Sequence, residues 1–188
     1  MKITVLIGTA FGDKTRMVAD YLLEELKQKS PKDEITLIDL ADYEIEFSDG
    51  RNYLDYSGDT GTVARTLMDS DTIIIITPIF QASIPGSLKN IFDLLPVQAL
   101  RNKVVSMVAI AGSEKHYLIV EQQLKPILSF MKAQIVQTYV FALDIDFSPH
   151  GIANDEIIFR LNRLMDETLN LTKIVQEIQA IDDAQYDF

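Results

Sequence analysis

The chain contains no cysteine, which removes disulfides, thiolate nucleophiles and cysteine-held zinc or iron–sulfur centres together. Histidine is nearly as scarce: His116 and His150 are the only two, too thin a supply for a histidine-rich metal site. Glycine and proline, 8 and 6 of 188 residues, are too few for a fibrous or low-complexity chain. Positive charge is in deficit, with 17 Lys and Arg against 28 Asp and Glu for a formal net charge of −11. Such a field repels nucleic-acid phosphates and anionic lipid, so neither nucleic acid nor a membrane is an expected partner, and any anionic ligand needs a local site. Long apolar runs are missing too. The opening "MKITVLIGTAFGDK" turns polar after Ile7, too soon for a signal segment or a bilayer span, and a cytoplasmic location is the expectation.

What is present reads as one globular domain over residues 1–188, with 47% hydrophobic and 24% charged residues. The end "AIDDAQYDF", about residues 180–188, reads as a solvated acidic tail. "KITVLI", "EITLIDL", "TIIIIT", "KVVSMVAI" and "IVQTYVFAL" are short runs rich in β-branched residues, the pattern of strands buried in a parallel sheet. Between them, apolar residues recur at three and four. Met17, Val18, Tyr21, Leu22 and Leu26 form one such stripe from Thr15 onward, and Ile158, Leu161, Met165, Thr168, Leu169, Thr172 and Val175 form another over Asp155 to about Ile178. Shorter helices are expected over Thr62–Asp69, from Pro85 or Gly86 to Leu95, and over Tyr117–Met131, whereas 41–59 reads as a surface connection. Strands alternating with helices imply parallel crossovers and a doubly wound α/β sandwich. In such sheets ligands bind beyond the carboxyl ends of the strands, which directs attention to the loops at Gly8, Pro78 and Ala111.

The first loop, "GTAFGDKTR", runs from strand straight into helix, and a helix N-terminus offers backbone N–H groups to a phosphate without net positive charge on the protein. Thr9 and Thr15 add hydroxyls; Lys14 and Arg16 add charge. The stretch approaches a P-loop but places Asp13 where the second glycine is required, and no GxGxxG is present. The alternative is a capped helix start with no ligand. In the second loop, Pro78 ends strand pairing, and the N–H groups of Ile79, Phe80, Gln81, Ala82 and Ser83 are expected to be free for a flat ligand. Phe80 packed simply on the core is the alternative there. The third, "AIAGSEKH", brings small residues Ala111, Gly112 and Ser113 after a buried strand, with His116 reading as a helix-start residue.

With these loops in place, the chain resembles the NADPH-dependent FMN reductase family of the flavodoxin-like superfamily, nearest to the sulfonate-starvation FMN reductases. The residues that carry the resemblance are "TPIFQASIPGSLKNIFDLLPVQALRNKVV" and "AIAGSEKHYLIVEQQLKPILSFMKAQ", within Thr72–Gln134. The resemblance implies a five-stranded parallel sheet of order 2-1-3-4-5, FMN as cofactor and NADPH or NADH as donor. It further implies that Thr9, Lys14, Thr15 and Arg16 hold the flavin phosphate, that Pro78, Ile79, Phe80 and Gln81 lie along the isoalloxazine, and that Ala111, Gly112 and Ser113 hold its other edge. Phe11 stands where the family has arginine, Phe80 where it has tyrosine, Ala111 in place of a glycine, and Ile84-Pro85 in place of Tyr-Ser.

Hydride transfer from nicotinamide to flavin is the cofactor's chemistry, so no catalytic side chain and no metal ligand is singled out. An FMN reductase that supplies reduced flavin to a monooxygenase is the leading reading. A reductase that keeps its FMN and reduces quinones, azo compounds or metal oxyanions is the second, and a flavodoxin-type electron carrier the third. Apolar surface on the "IPGSLKNIFDLL" helix and the long C-terminal helix suggests a homodimer or tetramer.

Overall fold

The isoleucine run Thr72–Pro78 forms β3, buried through Thr77 and flanked on both sides by parallel strands, as expected of a β-branched segment with no polar face. Its neighbours are β1 (Lys2–Ile7) and β4 (Val104–Ala111), in register Val5 to Ile74 to Ser106. The computed structural model describes residues 1–186. β2 (Glu34–Asp39) pairs with β1 at one edge, and β5 (Gln134–Ile135) pairs with β4 at the other, giving the order β2-β1-β3-β4-β5.

Two hydrophobic clusters follow from the period of two along each strand. Ile74 and Ile76 face α1 (Asp13–Lys29) and α5 (Asp155–Tyr186), where Val18, Leu22, Leu26, Leu161, Leu164 and Met165 cover them. Ile73 and Ile75 face α2 (Gly58–Asp69), α3 (Gly86–Leu94) and α4 (Lys125–Phe130), with Val63, Leu67, Leu88, Ile91 and Leu128. Helices on both faces of a parallel sheet make the doubly wound sandwich that the alternation of patterns required.

Five local expectations change. The fifth strand is interrupted: β5 and β6 (Val140–Leu143) both pair with β4, but after Val136, whose N–H still donates to Val105 O at 2.9 Å, the chain leaves the ladder until Val140. Side chains hold that break, Tyr139 Oη donating to the Tyr117 carbonyl at 2.7 Å and Thr138 Oγ1 donating to Glu167. The helix expected over Tyr117–Met131 is instead a 3-10 turn at Glu114–His116, a π-helical turn at Val120–Leu124 and then α4. Pro126 has no N–H to give the carbonyl one turn back, and Lys125 N reaches to Val120 O.

The segment 41–59 is not a loose connection. Tyr56 is 1% exposed in the core, and Asn90 on α3 pins the chain by accepting from Ser48 N and donating to Glu46 O, each at 2.9 Å. Finally, α5 continues past Ile178, so residues 180–186 are helical, in a stretch with no glycine or proline to end the helix. Asp187 and Phe188 lie outside the described residues. Ile174, Ile178 and Ile181 are exposed, while Leu88, Ile91, Phe92 and Leu94 of α3 are buried, so of the two helices expected to expose apolar side chains only α5 does. Among the described residues no helix is long and apolar enough to cross a membrane.

Candidate functional site

β1, β3 and β4 end side by side at Ile7, Pro78 and Ala111, and the loops that follow enclose a cleft of about 350 Å³. Its walls are residues 11–15, Pro78–Phe80, Ile110–Gly112 and Asp144. A second cleft of about 350 Å³, near Tyr117, Tyr139 and Arg160, receives nothing from the loops after β1 or β3 and lies off the strand ends where such folds bind ligands.

The first loop is seated on α3 by its glycine. Gly8 N donates to Ile76 O at 2.8 Å, its carbonyl accepts from Ser87 Oγ at 3.0 Å, and an added Cβ would fall 2.9 Å from Leu88 Cδ2. Thr9 turns inward, 1% exposed, and its hydroxyl donates to Phe11 O at 2.9 Å while accepting from Phe11 N at 3.3 Å. Thr15 Oγ1 likewise donates to Gly12 O at 3.0 Å. Both hydroxyls therefore hold the loop's own shape. Gly12, at φ +118, turns the chain into α1 without a side-chain cap, which leaves the first-turn amides of the helix without that partner at the cleft wall.

The charged groups separate in space. Lys14 stands at the cleft, its Nζ 2.7 Å from Asp144 Oδ1. Arg16 turns away from it, with Nε 2.9 Å from Asp20 and Nη1 3.4 Å from Asp39. The Asp20 carboxylate bonded to it, with Asp39 behind, raises the guanidinium's pKa further.

The second loop is tighter than the sequence suggests. Ile79 N donates to Ile110 O at 2.9 Å, and Phe80 and Ser83 exchange both backbone hydrogen bonds, 2.9 and 3.0 Å, around Gln81 and Ala82. Those two central residues have φ of 48° and 58°, the left-handed pair of a two-residue hairpin turn that usually selects asparagine or glycine. Of the five amides expected to be free, only those of Gln81 and Ala82 have no hydrogen-bond acceptor among the described residues. The Phe80 ring is not absorbed into the core: it is partly exposed and stacks on Phe11 across the mouth of the cleft.

Lys14, Thr15, Pro78, Ile79, Phe80, Ala111 and Gly112 line the cleft together. Thr9, Arg16, Gln81 and Ser113 do not; Ser113 caps the following 3-10 turn through Lys115 N, and His116 sits half-buried within that turn. No cluster of metal-ligating side chains occurs among the described residues. Sequence reading passed over Asp144, which follows β6 directly; its place after a strand of this sheet was the available signal.

An apolar floor of Pro78, Ile79, Ile110 and Ala111 beside helix-start amides and one lysine suits a ligand with a flat ring and a phosphate. Residues 1–148 match the family described as NADPH-dependent FMN reductase. The chain belongs to that family. It is 41% identical over 172 residues to an NAD(P)H-dependent FAD/FMN reductase of Geobacillus thermodenitrificans, covering 91% of this chain and 93% of the relative. Among solved structures it is similar to an NADH:FMN oxidoreductase in its apo form, with TM-score 0.74, 26% identity and coverage of 90% and 89% of the two chains. Flavodoxin 1 of Bacillus cereus shares the fold, with TM-score 0.64 at 16% identity over 90% of this chain and 98% of that one. The reductase is thus a flavodoxin-like oxidoreductase that uses FMN with a nicotinamide donor.

Proposed function

We propose that this reductase takes FMN as an exchangeable substrate in the cleft at the strand ends, reduces it with NADH or NADPH, and passes it on to a flavin-dependent monooxygenase. The observation that carries the reading is the thinness of the phosphate site. Thr9 and Thr15 spend their hydroxyls on their own loop and Arg16 is engaged by Asp20 and Asp39, so the helix-start amides and Lys14 are left to meet the phosphate. A phosphate met by helix-start amides and one partly exposed cation is held in part by an attraction that solvent and salt screen, which favours exchange in this reading.

When bound, FMN accepts the nicotinamide's hydride, and that chemistry is the cofactor's own. Pro78, Ile79, Ile110 and Ala111 give the ring an apolar bed that excludes water from one face. The free amides at Gln81 and Ala82 offer donors to a ring edge, and Gly112 lets the main chain approach closely. Thr9 and Ser113 act in this reading by shaping their loops, and Arg16 by fixing the start of α1 against the acidic end of β2. The same reading takes residues 1–188 as one unit in the cytoplasm, assembled as a homodimer through the exposed isoleucines of α5, which light scattering at micromolar concentration tests.

The deciding experiment is NAD(P)H oxidation by protein purified without flavin, as a function of added FMN. Turnover that is absent without FMN and saturates with it supports the reading. Flavin that co-purifies, with turnover governed instead by an added quinone or azo acceptor, replaces it with an FMN-retaining reductase.

A further inference from the structure

The Lys14–Asp144 pair joins the two sides of the cleft, one residue from the first loop and one from the end of the fifth strand. Asp144 has no structural duty that explains it. Its carboxylate has no hydrogen-bond donor other than Lys14 among the described residues, and its side chain is half exposed. Asp146, two residues on, does the holding: it accepts from Leu143 N at 2.7 Å and from Asn154 Nδ2 at 2.6 Å and is buried. Asp144 also stands against Gly112, where an added Cβ would fall 3.3 Å from its Oδ2, so the carboxylate reaches the third loop as well as the first.

An ammonium paired with a carboxylate has part of its charge and donors already spent when a phosphate arrives, and a carboxylate beside a phosphate repels it. We propose that Asp144 sets how loosely FMN is held, by competing with the flavin's phosphate for Lys14. Each binding event then exchanges one partner of Lys14 for another, and each release restores the Lys14–Asp144 pair. A reductase that hands its product on gains from this arrangement, because the leaving phosphate is replaced at once and Lys14 is never left unpaired. The inference rests on Lys14 being the phosphate's cation, and the test separates the two.

The experiment is titration of the full-length protein with FMN and, separately, with riboflavin, which lacks the phosphate, following quenching of flavin fluorescence. Wild type is compared with Asp144→Asn and Lys14→Met, each checked for an unchanged circular dichroism spectrum. Lys14→Met is expected to weaken FMN about three- to tenfold and leave riboflavin unchanged. Asp144→Asn is expected to tighten FMN by a similar factor, about three- to tenfold, the scale of a partly exposed pair plus a removed repulsion, again with riboflavin unchanged. If Lys14→Met weakens FMN while Asp144→Asn does not tighten it, the competition is wrong and the lysine's role stands. If Asp144→Asn tightens riboflavin as much as FMN, the residue acts on the ring and the proposal fails. If Lys14→Met leaves FMN affinity unchanged, the phosphate reading fails and this inference with it.

Discussion

Phe11 and Phe80 stack face to face across the mouth of the cleft, their ring centroids 4.9 Å apart and their planes 7° from parallel. One ring comes from the loop after β1 and the other from the loop after β3, so the contact ties the two loops together at the cleft wall. An aromatic pair of this geometry is worth about 0.5–1.5 kcal/mol beyond the area it buries. Phe11 is 67% exposed, so its removal opens no core cavity. Phe11→Ala is expected to weaken FMN, because one wall of the cleft mouth is lost, and to lower stability by no more than the pair's own about 0.5–1.5 kcal/mol, without the larger cost of a core cavity. Fluorescence titration beside thermal melting checks both halves; a tighter complex would mean that the stack blocks the cleft instead of forming its wall.

The turn at Gln81 and Ala82 makes a separate stability forecast. A non-glycine residue in the left-handed region costs about 1–2 kcal/mol, and glycine recovers most of it at the expense of a more flexible unfolded chain. Ala82→Gly is expected to raise stability by up to about 1 kcal/mol, or about 2–4 °C in a chain of this size. Ala82→Val, adding a β-branched side chain at φ 58°, is expected to lower it by more. Melting curves of the three proteins settle the order, and a destabilised glycine variant would show that the turn is not strained.

Much of this architecture was legible in the sequence because it depends on patterns that repeat over several residues. The uninterrupted apolar run at Ile73–Ile76 admits only a strand covered on both faces, and the stripe from Val18 to Leu26 admits only a helix with one buried side. The site was legible to the extent that strand ends locate it: Pro78 and Ala111 were found because the runs before them stop. The misses are where single tertiary contacts decide. Nothing local says that Tyr139 leaves the sheet to bond Tyr117 O, that Thr9 and Thr15 turn back on their own loop, or that Arg16 is claimed by Asp20 and Asp39. Asp144 offered only its place after a strand, because its partner Lys14 lies far off in the sequence.

Gly8 is where packing and site meet. Its missing side chain lets the loop lie against Leu88, which is fully buried on α3. Gly8→Ala is expected to cost about 1–3 kcal/mol by overpacking. Leu88→Ala alone is expected to cost about 2–5 kcal/mol through the cavity it leaves. In the double variant the new methyl enters the vacated space, so the combined cost should fall below the sum of the two, which urea unfolding of all four proteins measures. Strict additivity would show that Gly8 is needed for its backbone and not for its contact.

Stability at low pH is expected to fall through a small set of engaged carboxylates. Thr138 Oγ1 and Arg163 Nε both donate to Glu167, and these bonds hold its carboxyl below the ordinary value of 4.5. Arg51 and Tyr56 depress Asp49 in the same way, and Lys2 depresses Asp69. A carboxyl with a lowered folded-state pKa contributes stability that is fully present above its unfolded value and is lost as pH falls through the folded one. The melting temperature should therefore hold from neutrality to about pH 5 and decline below about pH 4.5. Glu167→Gln removes one such group: it should be less stable than wild type at pH 7 by the about 0.2–1 kcal/mol of a largely exposed pair, and converge with wild type as the pH falls through the lowered folded-state pKa of Glu167. A constant offset between the two curves from pH 7 to pH 3 would show that Glu167 contributes through packing and not through its charge.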